Sequence, residues 1–185
     1  MRDCGMNSRC VVVVSVLVAC GGSSERGGPG GDVTPFVAMY ATTSHTRVEV
    51  FGDNVKCADP AEPVAGAAPF FRLAVDTFFM DPDILSISDC ADAAGTSCEE
   101  GFVTLHAGGP GLEDESANSQ TGGGLCQLHY THAQATLTGA TVQIEAVEKY
   151  DAPALSDKDC TLQRAEALAS SPDCRSVERW TGTRQ

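Results

Sequence analysis

"LCQLHYTHAQATLTGATVQIEAVEKY", residues 125–150, decides how the rest of the chain is read. Two runs rich in Thr, Val, Ile and Tyr flank Thr138-Gly139-Ala140. β-Branched and aromatic residues suit a pleated, half-buried surface, and a glycine between two such runs marks a hairpin turn. On the return run Val142, Ile144 and Ala146 are two apart, so they share one face of a strand. This stretch predicts an antiparallel pair.

The same pattern extends outward in both directions. "FVAMYATTSHTRVEVF" (36–51) ends in alternation, with Val48 and Val50 opposite Arg47 and Glu49. "FFRLAVDTFFM" (70–80) carries Phe70-Phe71 and Phe78-Phe79, each pair placing one ring on either face, with core packing the expected use. "ILSIS" (84–88) and "FVTLH" (102–106) are short strands, and "CRSVERWTGTR" (174–184) alternates again around Val177. Residues 162–169, "LQRAEALA", are good helix formers stopped by Ser170-Ser171-Pro172. Three stretches have turn compositions: 57–69, rich in Pro and Ala; 89–101, acidic; and 107–124, glycine-rich and acidic. The expected fold is mainly β, an antiparallel sandwich or barrel of about seven or eight strands with one short helix near 162–169. In architecture alone this is similar to the lipocalin-type barrels. The Gly-x-Trp that family carries near its first strand is absent here, so no binding residue is carried over.

The N-terminal region has a different character. "MRDCGMNSRC" sets Arg2 and Arg9 against Asp3, and the apolar run "VVVVSVLVA" (11–19) follows. Nine residues cannot cross a bilayer as a helix, but they match the apolar middle of an export signal. Leu17-Val18-Ala19-Cys20 resembles the lipobox of bacterial lipoproteins. The resemblance implies that residues 1–19 are a signal peptide removed before Cys20, and that Cys20 is lipidated. Gly21, rather than Asp, after the cysteine implies the outer membrane. Residues 21–32 are six Gly and two Ser among twelve, the composition of a flexible tether. A single β-rich domain is expected over 33–185.

Loss of the signal segment moves the net charge from −13 to −14, because Arg2, Arg9 and Asp3 leave with it. Such a surface repels nucleic acid and anionic headgroups, leaving lipid as the membrane partner. Six cysteines remain besides Cys20: Cys57, Cys90, Cys98, Cys126, Cys160 and Cys174. An even set in an exported chain predicts disulfides. Short local loops favour Cys90–Cys98 and Cys160–Cys174, leaving Cys57–Cys126. The absence of any Cys-x-x-Cys pair argues against zinc.

No compact catalytic or cofactor motif is found. Gly-x-Ser-x-Gly is absent around Ser44-His45, and "GGPGLE" lacks the Lys-Ser/Thr of a phosphate loop. His129 and His132 are three apart, which on a strand puts them on opposite faces, unable to share a metal. His106 is read as a surface histidine. Asp81, Asp83 and Asp89 lack the glycine and glutamate spacing of a calcium loop, and "EDES" (113–116) is no stronger. The sequence therefore points to a non-enzymatic lipoprotein acting through a small apolar ligand or an envelope protein. The alternative is an envelope hydrolase built from dispersed His, Asp and Ser residues.

Overall fold

The expected hairpin forms and sets the frame. β9 (Leu125–Thr138) and β10 (Thr141–Asp151) pair along eleven residues, from Thr138↔Thr141 to Leu128↔Asp151. Gly139 takes the first position of the two-residue turn at φ 61°, a conformation that costs a side chain dearly and a glycine nothing. The computed structural model describes residues 23–25, 32–49, 54–76, 82–108, 111–122, 125–152 and 160–185. The expected signal peptide, Cys20, Phe78-Phe79 and Asp81 lie outside them.

Six further strands complete the wall: β2 (Ala38–Glu49), β5 (Phe70–Val75), β6 (Ile84–Cys90), β7 (Cys98–Gly108), β8 (Gly111–Gly122) and β12 (Ser176–Arg184). They run antiparallel in the order β2-β5-β6-β7-β8-β9-β10-β12, and β12 returns to pair with β2. The result is a closed eight-stranded up-and-down barrel, which leaves no long sheet edge exposed. Short β1 (Ser23–Glu25) lies along β8, and β4 (Glu62–Pro63) along β2. β3 (Val55–Lys56) and β11 (Asp173–Cys174) form a separate two-stranded patch. Three residues of the expected tether are thus paired to the wall.

The lower half of the barrel is filled with apolar side chains. Tyr40, Phe71, Leu73, Leu85, Leu105 and Val142 are fully buried there, and Tyr40 stacks on Phe71 with centroids 5.3 Å apart. A 3-10 turn, Thr34–Phe36, closes this end by burying Val33 and Phe36 beneath the core. The Tyr40 hydroxyl donates to the Phe36 carbonyl at 2.8 Å, so the buried polar tip is satisfied. Gly182 faces the same core, and a Cβ there would sit 2.5 Å from the Phe71 ring. One ring of the Phe70-Phe71 pair therefore joins the core, and a glycine makes room for it.

In the upper half the faces invert. Val48 and Val177, which alternate with charged neighbours, lie on the outer surface with Val55 and Cys174, covered by the β3–β11 patch. Their neighbours Arg47 and Glu178 take the inner face. A register shift in β2 opposite Thr181/Gly182 resets the alternation between the two halves. The helix α1 (Leu162–Ala167), continued by a 3-10 turn at Leu168–Ser170, packs on the outside of β8 and β9, where Ala165 meets Ala117, Cys126, Leu128 and Tyr130. Thr161 caps its start by accepting from the Arg164 amide. Lys149 holds its end, donating to the Ala169 and Ser171 carbonyls at 2.7 Å each.

All six domain cysteines are paired, and all three bridges lie at the upper end. Cys90–Cys98 closes the β6–β7 hairpin as the short spacing suggests. The other two expected pairs are replaced. Cys174 joins Cys57, fastening the β3–β11 patch to itself, and Cys160 joins Cys126, fastening the start of the helix to β9. The physical reason is the helix. It carries the chain across the wall between Cys160 and Cys174, so these two neighbours in sequence end beside different strands. A second correction concerns 107–124, read as a loop: most of it is β8, paired with β9 over Leu112–Gly122.

Candidate functional site

β2 is offset by its one extra residue and strands such as β10 and β12 keep period two, so the upper inner face can be read from the register. His45 pairs with Trp180, Arg47 with Glu178, Asp89 with Glu99, Thr131 with Glu148 and Ser116, and His129 with Asn118. Trp180 forms the floor of this region, stacked on the His45 ring at 4.9 Å. His45 is 7% exposed. Its Nε2 lies 2.6 Å from Glu178 Oε1, and Arg47 Nη2 donates to the same oxygen at 2.7 Å. His45 Nδ1 and Trp180 Nε1 are buried with no hydrogen-bond partner. Such orphaned polar atoms are uncommon in native interiors.

Three cavities open off this face. One of about 360 Å³ is lined by Asp114, Thr131, Glu148, Ser176 and Glu178, with Val103, Ala133 and Ala146 between them. A second, about 350 Å³, is lined by His45, Asp89, Glu99 and the turn from Val64 to Pro69. The third, about 240 Å³, is lined by Ser116, Asn118, Gln120, His129 and Thr131. The first two are within the size range of small-molecule sites. Glu178 lines the first and its partner His45 lines the second, so the His45–Glu178–Arg47 group stands between them. The lining is more acidic than basic.

Burial pushes the Asp89 carboxyl above the usual carboxylate range; Glu178 and Glu99 push it the same way, against His45 and Arg47. Burial also holds His129 below the ordinary imidazole value. Across the seam where β7 and β8 part, Asp114 accepts from Thr104 Oγ1 at 2.7 Å and faces His106 Nε2 at 3.5 Å.

The residues singled out in the sequence scatter. His129 faces the third cavity, while His132 meets Glu113 at 3.0 Å on the outer face. Ser44 is exposed and points away from His45's side of β2. Asp83 precedes β6 and Asp89 lies near its far end, about 20 Å apart by strand rise. Of "EDES", Asp114 lines a cavity and Glu113 is exposed. Among the described residues no group of three or more His, Cys, Asp or Glu is placed to hold a metal. The residues that sequence reading missed are Glu178, Trp180 and Glu99, while Asp89, weighed there only for calcium, lines the second cavity. The signal was present: His45-x-Arg47 and Glu178-x-Trp180 keep the same period as the valines beside them.

No protein-family model matches the chain, and comparisons with curated proteins and with solved structures gave no match either. The class is therefore defined by the fold itself, a closed eight-stranded antiparallel barrel with one apolar and one polar half.

Proposed function

We propose that this protein is an exported, lipid-anchored barrel that binds a small ligand in its upper half without transforming it. The observation that carries the binding reading is the inversion. Seven of the eight strands line cavities of about 350 Å³ with polar side chains among the apolar ones, while outward apolar residues of β2, β8, β9, β10 and β12 are covered from outside. A barrel built only for stability gains nothing from that arrangement, since buried polar groups cost free energy unless they are paired. The lining sets carboxylates and hydroxyls among apolar surface, which suits a ligand that carries both a polar group and a carbon skeleton.

The hydrolase alternative draws on the His45–Glu178 pair, which has the form of a base held by a carboxylate. Its weakness is the other nitrogen. His45 Nδ1 has no hydroxyl or thiol against it, and a nucleophile must lie within hydrogen-bond reach of its base. Binding is the better reading.

Anchoring rests on Leu17-Val18-Ala19-Cys20 and the tether. β1 pairs with β8 so that Ser23 is the residue nearer the upper end, two residues after Gly21-Gly22 begin. An anchor at Cys20 then holds the cavity end toward the headgroups of the outer membrane. Two tests apply. Cys20→Ser should abolish lipid labelling and detergent-phase partitioning; unchanged partitioning overturns the anchor. Native mass spectrometry of gently purified protein should find a bound small molecule or, after screening a polar panel, a saturable one; loss of either with cavity variants but not with outer-face variants supports the site.

A further inference from the structure

We propose that the cavity beside His45 takes a small organic cation, a primary ammonium carried on a short carbon chain. The inference rests on the barrel being a ligand binder and names the class of ligand.

Three observations converge on this cavity. First, Asp89 and Glu99 are direct cross-strand partners on β6 and β7, and both line it. Like charges opposite one another on a sheet destabilise it. Asp89 is half-buried and feels the charges of His45 and Arg47 as well as Glu178 and Glu99, while Glu99 reaches solvent. Arg47, the nearest guanidinium, is already engaged with Glu178. Second, His45 also lines the cavity, more than nine-tenths buried, with Nδ1 unpartnered. The site thus sets two carboxylates of like charge beside an imidazole with one unpartnered nitrogen. Third, the lining also includes Val64, Ala67, Ala68 and Pro69, apolar surface suited to methylene groups.

A metal ion would answer the charge but not the geometry, because no three ligands converge among the described residues. An anion would be repelled. An ammonium satisfies both carboxylates through its three donors, and its chain lies on the apolar wall.

The protein carries its own reporter. Trp180 is the sole tryptophan and is stacked on His45. The full mature chain is titrated with 1,4-diaminobutane, 1,4-butanediol, succinate and Ca²⁺, followed by Trp180 fluorescence and by calorimetry. Saturable binding of the diamine alone is expected. Asp89→Asn should weaken it at least tenfold without lowering the melting temperature, and Glu113→Gln on the outer face should leave it unchanged. Equal or tighter binding of Ca²⁺, the diol or succinate overturns the cation and leaves the binding barrel standing. Unchanged diamine affinity in Asp89→Asn, or equal loss in Glu113→Gln, overturns the site. No binding of any of the four sinks the cation, and if the polar panel also fails, the ligand-binding reading falls with it.

Discussion

The two halves of the barrel solve opposite problems with the same eight strands. Below, alternation puts apolar residues inward, and the core of Tyr40, Phe71, Leu73 and Leu85 needs no covalent help. Above, alternation puts His45, Arg47, Asp89 and Glu178 inward, and the apolar face turns outward. That outer face is then covered by a helix and a two-stranded patch, and all three disulfides lie here. The difference teaches where stability comes from. Packing holds the lower half, and cross-links with outer covering hold the upper half open around its cavities.

The strongest way to break this comparison is to attack the lower core. Phe71→Ala removes a ring that is 0% exposed, stacked on Tyr40 and fitted against Gly182. A loss of about 3–5 kcal/mol is expected from chemical denaturation. A loss under about 1 kcal/mol would mean that the lower half is not the stabilising one.

The upper half should instead yield to reduction. Removing the bridges one pair at a time, as Cys→Ala doubles, should cost roughly 2.5–5 kcal/mol each by loop entropy. The order should follow the separations of 117, 34 and 8 residues, with Cys57–Cys174 the largest and Cys90–Cys98 the smallest. Denaturant midpoints check it. A reversed order would show that local geometry, not chain closure, decides what these bridges contribute.

A smaller effect tests the outer covering. Lys149 is 8% exposed and ties the end of the helix to β10 through bonds to Ala169 and Ser171. Burial lowers its pKa, a cost the two carbonyls offset. Lys149→Met keeps the stem and strands both carbonyls, for a loss of about 1–3 kcal/mol. Hydrogen exchange should quicken in residues 162–170 while the lower core stays protected. Uniform quickening would mean that the halves are not separable.

These halves were not equally legible in the sequence. The lower half, the hairpin turn at Gly139 and the helix near 162–169 follow period two, period 3.6 and turn chemistry, which single stretches display. The upper half follows period two as well, but alternation alone does not say that Val48 and Val177 face outward, because apolar residues normally face in. Which face of a strand is covered depends on a helix and a patch that come from elsewhere in the chain. β8 was hidden for a related reason. Its inner face, Asp114, Ser116, Asn118 and Gln120, lines cavities, so "EDESANSQ" shows no apolar alternation and reads as a loop. The cysteine pairing was hidden by the same helix, which separates Cys160 from Cys174. The site is illegible where it departs from the rule that makes strands legible.

The smallest effect has the opposite sign from all the others. Asp89 lies opposite Glu99, with Glu178, His45 and Arg47 also acting on it. Its carboxyl pKa is raised above the ordinary 3.8, with burial the largest cause. A raised carboxyl pKa means that the folded chain holds a proton which the unfolded chain has already released. The group therefore weakens folding as pH climbs from 3.8 through its raised value, and the deficit is constant above it. Asp89→Asn mimics the protonated form at every pH and removes the like-charge pair. It should stabilise the protein by about 0.2–1 kcal/mol at neutral pH. The gain should shrink as pH falls through the raised value and vanish below the ordinary 3.8, where Asp89 is protonated in the folded and the unfolded chain alike. Melting temperatures of the two proteins across pH 3–7 measure the difference. A gain that persists at acid pH would assign it to packing. A loss at neutral pH would show that Asp89 has a partner in the folded chain, and the upper half would then be a satisfied polar core like any other. A gain confined to neutral pH and cancelled by saturating 1,4-diaminobutane would show that the upper half keeps a destabilising carboxylate for a cation to neutralise.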